Sequence, residues 1–118
     1  MPEISEVKLT AEFVTETNKN RLIEEVLFLK TNKLKLIEEI DLKGKKISAQ
    51  SRGKELKLFF DKEPVVISLG MTGCFKNFKK RGYKNKHWKH GHIRFRMSDN
   101  TWFCWSDVRR FGKSISKD

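Results

Sequence analysis

Val7, Ala11 and Val14 recur at i, i+4 and i+7, the spacing that lines apolar side chains along one face of a helix. Ser5, ahead of Glu6, Val7 and Lys8, reads as the N-cap, since its hydroxyl can accept from an amide left unpaired in the first turn. The stripe runs to about Thr17 and breaks at Asn18 to Asn20. Arg21 to Leu29 fits either a second, weaker helical pattern or an irregular crossing. From Leu34 the period changes. Leu34–Ile40, Lys45–Ser51, Glu55–Phe60 and Val65–Leu69 are short stretches bounded by Gly, Lys-Gly, Asp or Glu-Pro breakers, and they read as strands. Alternation is plainest from Glu55 to Phe59, polar out and apolar in. Gly70 and Gly73 punctuate a loop, and about Phe78 to Gly91 reads as a long basic loop. His92 to Met97 alternates again, Ser98-Asp99-Asn100 is a turn, and Thr101–Ser106 returns as a hairpin strand. Val108–Ser116 offers one more strand. The pattern predicts an α+β fold, mostly β. A leading helix precedes a two-layer antiparallel β-sandwich of about seven or eight strands. With 118 residues, the expectation is one domain.

Charge sharpens this picture. Lys and Arg number 26 against 15 Asp and Glu, for a net charge of +11, and such an excess points to a polyanionic partner. No carboxylate lies between Glu63 and Asp99, where Lys76, Lys79, Lys80, Arg81, Lys84, Lys86, Lys89, Arg94 and Arg96 crowd together. Interleaved with them are Phe75, Phe78, Tyr83 and Trp88, whose rings can either be buried or stack on bases. No apolar run approaches spanning length. The amino end is acidic where a secretory signal would be basic and then apolar, so an intracellular protein with no membrane partner is expected. Cys74 and Cys104 are far apart and lack a CxxC spacing, which suits neither zinc nor a disulfide framework and predicts buried free thiols in a reducing compartment.

Four short stretches carry candidate chemistry. In Met1-Pro2-Glu3-Ile4-Ser5-Glu6, removal of Met1 would leave Pro2 with a free secondary amine. An α-amino group titrates near about 7.7–8.0, so part of it is neutral at pH 7. It could attack a sugar aldehyde carbon and form an iminium. Glu3 could move a proton beside it, and Glu6 could hold the geometry. The plainer alternative is ordinary helix-start chemistry, proline at the first turn and carboxylates at the positive end of the dipole. Lys54, in Arg52-Gly53-Lys54, either clamps a phosphate or is a solvated turn lysine. Leu69-Gly70-Met71-Thr72-Gly73 either presents Met71 as a wedge for a base stack or packs it into the core. Asp107-Val108-Arg109-Arg110-Phe111-Gly112 joins two guanidiniums to an aromatic ring, which suits an opened base stack or an edge strand with a core Phe.

Taken in order, these stretches resemble the amino-terminal catalytic domain of the formamidopyrimidine-DNA glycosylase and endonuclease VIII family. MPEISEV is similar to that family's MPE-x-PEV opening, with Ser5 where proline is usual, and RGK, LGMTG, KHGHI and DVRRFG follow in register, so that the likeness runs from Met1 to about Gly112. LGMTG and RRF resemble the formamidopyrimidine branch more closely. The resemblance implies a base-excision-repair DNA glycosylase with AP lyase activity on oxidised bases and abasic sites, working through an iminium at Pro2. Glu3 would donate a proton to the sugar, Glu6 would support the pair, and Lys54 would contact the backbone beside the lesion. Met71, Arg109 and Phe111 would fill the hole left by the extruded base, with Arg109 facing the orphaned partner. His90 would contact a phosphate, Arg110 would bind phosphate or serve structure, and His92 would remain a strand residue. The partner is damaged DNA, double- or single-stranded. The family's helix–two-turn–helix domain and zinc finger have no counterpart in the chain as given, so no cofactor or metal is expected here, and a separate or truncated helix–two-turn–helix region is a candidate partner. A catalytically silent DNA-binding module derived from the same fold is the alternative. An N-terminal-proline tautomerase shares only Pro2.

Overall fold

The computed structural model describes residues 4–28, 40–68, 73–82, 84–89, 91–107 and 114–117. Helix α1 spans Ile4–Thr17 and is followed by strand β1, Ile23–Phe28. Next come β2 (Ile47–Arg52), β3 (Glu55–Phe60), β4 (Glu63–Ser68) and β5 (Gly73–Phe78). A one-turn helix, α2 (Lys86–Lys89), precedes β6 (Gly91–Met97), β7 (Trp102–Asp107) and β8 (Ser114–Lys117). The strands form two four-stranded antiparallel sheets, in the orders β1-β6-β7-β5 and β2-β3-β4-β8. The expected helix-plus-sandwich architecture is therefore present, with eight strands among the described residues.

The stripe read from the sequence is the face that α1 buries: Val7 and Val14 are fully enclosed and Ala11 is nearly so. The helix lies along β2, where the Thr15 hydroxyl donates to Ala49 O at 3.1 Å and accepts from Ala49 N at 3.0 Å. Between the layers, Leu56, Leu58 and Phe60 of β3 meet Ile93, Phe95 and Met97 of β6 and Phe103 of β7 in one core. Phe75 stacks on Phe103 with ring centroids 5.5 Å apart, and Phe13 of α1 lies 6.0 Å from the same ring.

Three expectations change. Helix α1 starts at Ile4, so Ser5 sits inside the first turn rather than at the cap. Arg21 to Leu29 is neither helix nor crossing over most of its length, because Ile23–Phe28 pairs with β6 as an edge strand. A register shift between Ile23 and Glu25 breaks the alternation that would have shown it. The basic stretch from Phe78 to Gly91 is not all loop. Asn85 caps α2, accepting from His87 N through Oδ1 at 2.8 Å. Trp88 then packs edge-on against Phe78 and Trp102, with centroids 5.6 and 5.3 Å away. With Cys104 these rings make a second, smaller core on the outer face of the first sheet. Leu34–Ile40 lies almost wholly outside the described residues, and β8 occupies the end of the predicted last strand.

Candidate functional site

Of the predicted site residues, Pro2, Glu3, Met71, His90, Arg109, Arg110 and Phe111 lie outside the described residues. Glu6 and Lys54 are described, and so are the element ends that flank the others. Those ends can be followed through the strand register. Gly73, the start of β5, faces Asp107, the end of β7, and Gly91, the start of β6, faces Ser106. In the second sheet, Ser68 at the end of β4 faces both Glu55 at the start of β3 and Ser114 at the start of β8. Glu55 in turn faces Arg52, across the turn that holds Lys54. Segments 69–72 and 108–113 therefore both run from one sheet to the other between strand ends that adjoin pairwise, Ser68 beside Ser114 and Gly73 beside Asp107, and residue 90 lies between the end of α2 and the start of β6.

The amino end of α1 points the same way. Its carboxyl end is tied to the opposite end of the first sheet, where Arg21 reaches Thr101 and Asp99 in the β6–β7 turn. Along its amino half, Leu9 and Thr10 share a cleft with Cys74 and Phe75 of β5. A 14-residue helix is about 20 Å long, close to the length of a six-residue strand.

Lys54 is exposed at the tip of the two-residue turn between β2 and β3. Gly53 makes that turn possible. Its φ of +59° lies in the left-handed region, which a tight hairpin needs and which glycine enters without strain. Arg52 and Glu55 close the hairpin with an ion pair of 3.3 Å. Glu6 is exposed in the first turn of α1, where its carbonyl accepts from the Thr10 hydroxyl at 2.9 Å and its charge complements the positive end of the helix.

The basic segment divides into two groups. Arg94 is occupied structurally: Nε and Nη2 donate to Trp88 O at 3.1 and 2.6 Å, and the guanidinium lies 4.7 Å from the Trp88 ring centre. Arg96 pairs with Glu25 at 3.9 Å, and Arg81 lies 5.2 Å over Trp102. Lys76, Lys79, Lys80, Lys84 and Lys89 are exposed. Of the interleaved aromatics, Phe75 and Trp88 are buried and Phe78 is half-buried, so the first two serve packing and cannot receive a base; Tyr83 is outside the described residues.

One cluster was not legible in the sequence. His87 Nδ1 lies 3.5 Å from Cys74 Sγ and 3.4 Å from the Ser106 hydroxyl. The three groups come from α2, β5 and β7, and no spacing links them. Cys74 is thus half-exposed rather than buried. Cys104 is buried as expected, and burial pushes its thiol up to about 12, the nearby Arg94 charge opposing. Among the described residues no group of three His, Cys, Asp or Glu side chains could hold a metal ion, and no helix is long and apolar enough to cross a membrane.

Residues 1–114 match the family model for the formamidopyrimidine-DNA glycosylase N-terminal domain. The chain belongs to that family. A formamidopyrimidine-DNA glycosylase of Wolbachia sp. subsp. Brugia malayi is 35% identical over 120 residues, which take in 98% of this chain and 43% of the relative. One from Legionella pneumophila strain Philadelphia 1 is 31% identical over 123 residues, 100% of this chain and 43% of the relative. The chain therefore spans less than half the length of the glycosylases it matches. Among solved structures, the MutM (Fpg) protein of Thermus thermophilus superimposes with a TM-score of 0.66 at 22% identity, covering 98% of this chain and 41% of that one. That likeness gives the fold: the same helix and pair of sheets.

Proposed function

We propose that this chain is the catalytic domain of a base-excision DNA glycosylase with AP lyase action. The observation that carries the reading is the gathering of strand ends around residues 69–72, 90 and 108–113, with the start of α1 directed to the same end of the molecule. With Met1 removed, the Pro2 nitrogen attacks C1′ of the damaged nucleotide. The C1′–base bond breaks and the base departs with its electron pair. Glu3 protonates the ring oxygen, the sugar opens, and an iminium forms between Pro2 and C1′. The iminium acidifies the C2′ hydrogen. Loss of that proton expels the 3′ phosphate by β-elimination, and a second elimination releases the 5′ phosphate. Lys54 holds a backbone phosphate as a point charge. Met71, Arg109 and Phe111 fill the gap left by extrusion, offsetting an unstacking cost of a few kcal/mol that is least at damaged pairs. His90 and Arg110 bind phosphate. Glu6 supports the amine from the first turn of α1.

The expected substrates are oxidised bases and abasic sites in duplex or single-stranded DNA, within the cell interior where that DNA lies. A helix–two-turn–helix region, on the same or another chain, would complete the clamp. Lyase action on a ready-made abasic site needs the amine and backbone grip but no lesion pocket, so it is the activity to test first. Borohydride added to Met-free protein and abasic single-stranded DNA traps a covalent adduct on this reading. Absence of the adduct, with DNA still bound, leaves the silent DNA-binding module instead.

A further inference from the structure

The first sheet has a second cationic feature, at the end away from the strand ends just described. Gly73 of β5 faces Asp107, but Phe78, five residues on, faces Trp102, so the two positions are separated by about 17 Å of strand. Beyond Phe78 the chain turns around a cavity of about 670 Å³ lined by Phe78, Lys79, Lys80, Arg81, Lys84 and Asn85, together with Gly82. No carboxylate lines it, and the nearest acidic residues in the sequence are Glu63 and Asp99. Among the described residues, no ion pair engages Lys79, Lys80 or Lys84.

The loop is held in place rather than merely solvated. Gly82 lies so close to Phe78 that a Cβ there would sit 3.0 Å from Cδ1 of the ring. Asn85 N donates to Gly82 O at 2.8 Å, and Asn85 then caps α2. Arg81 is laid over Trp102, and α2 is anchored by buried Trp88. Three exposed ammonium groups are thereby carried on a backbone whose entropy is already reduced, so the ordering that opposes binding is that of the lysine side chains alone.

We propose that this cleft grips the phosphodiester backbone of a DNA arm several base pairs from the lesion, with Lys79, Lys80 and Lys84 as phosphate contacts. The inference rests on the DNA-repair reading and extends it to a second contact surface. A duplex lying along the strands covers this distance of about 17 Å in about five base pairs at about 3.4 Å each. Lysines that contact phosphate carry no sequence information; the cleft adds affinity and salt dependence without choosing the lesion.

The test compares the wild-type chain with a Lys79→Ala/Lys80→Ala/Lys84→Ala variant on duplexes bearing one abasic-site analogue. Each lost phosphate contact lowers the log–log salt slope by about one, so the variant's slope falls by about three and its affinity at low salt by about tenfold or more. Damaged and undamaged duplexes suffer equally, and the borohydride adduct at saturating abasic DNA is unchanged. With one arm at a time cut to about three base pairs and the other kept long, wild type and variant bind alike on the duplex that lacks the gripped arm. An unchanged slope on long duplexes overturns the proposal, as does a difference that persists whichever arm is cut. A wild-type chain that binds DNA but gives no adduct counts against the catalytic reading alone, so the two failures are distinguishable.

Discussion

At the end of the first sheet where β6 turns into β7, polar side chains bond to one another, with Arg21 Nε buried and unpaired among them. Arg21, only 6% exposed, donates to Asn18 Oδ1 at 2.7 Å and to the Thr101 hydroxyl, and stands 3.5 Å from Asp99. Asp99 accepts from Thr101 N at 3.2 Å and from its hydroxyl at 2.6 Å. The network straps the end of α1 to the hairpin. At the opposite end of the molecule, the Gly53–Lys54 turn and the first turn of α1 leave Lys54 and Glu6 in water. Asn18, Arg21, Asp99 and Thr101 at the first end are partners for one another, while Lys54 and Glu6 at the second are presented outward. Burial and mutual satisfaction mark structural charge; exposure on a fixed turn marks charge available to a ligand.

Substitutions separate the two ends, and the largest effects belong to packing. Trp88→Ala opens the outer core and costs about 3 kcal/mol or more, read as a lowered midpoint in urea. Arg21→Ala leaves Asn18 and Thr101 without their partner and costs about 2 kcal/mol, with the borohydride adduct at saturating abasic DNA unchanged. Lys54→Ala reverses that pattern. Stability stays within about 0.5 kcal/mol, while DNA affinity falls about tenfold and the salt slope drops by about one. An Arg21 variant that lost the adduct while folded, or a Lys54 variant that melted early, would erase the distinction between the ends.

The smallest effect is a pH dependence. Burial opposes the Asp99 charge, but hydrogen bonds from Thr101 and the Arg21 cation outweigh it and hold the carboxyl below its ordinary value. Burial lowers Arg21 from its usual range, with Asp99 opposing. Since the folded-state value for Asp99 is depressed, its contribution to stability is present above the unfolded carboxylate range. It is lost as pH falls through the folded value. Asp99→Asn flattens the acid limb of a stability–pH curve by the amount that this carboxylate contributes. A curve identical to wild type would remove Asp99 from the strap.

What could be read from the sequence follows the same division. The helix stripe, the alternation of β3 and the β6–β7 hairpin were legible because each pattern is local and has one period. Strand β1 was hidden by its register shift and by Arg21, a charged residue buried through partners 80 positions away. Helix α2 is one turn long, too short for a period, and Trp88 is buried inside the most basic part of the chain. The Cys74–His87–Ser106 cluster joins three elements and leaves no trace in spacing. Lys54 could be placed on a turn from Gly53 alone. Its phosphate contact, the amine chemistry of Pro2 and Glu3, the Met71 wedge and the base-stack roles of Arg109, Arg110 and Phe111 each stood beside a plain structural alternative that the residues alone did not decide, and the His90 contact came from the resemblance.

The most direct test of the repair account is to identify the atom that DNA captures. Met-free protein is incubated with abasic single-stranded DNA and borohydride, digested, and the adduct located by mass spectrometry. The account predicts a reduced sugar remnant on the Pro2 nitrogen, absent when the amine is acetylated beforehand and weakened in Pro2→Gly. A remnant on a lysine, or an adduct undiminished by acetylation of the amino terminus, would contradict it.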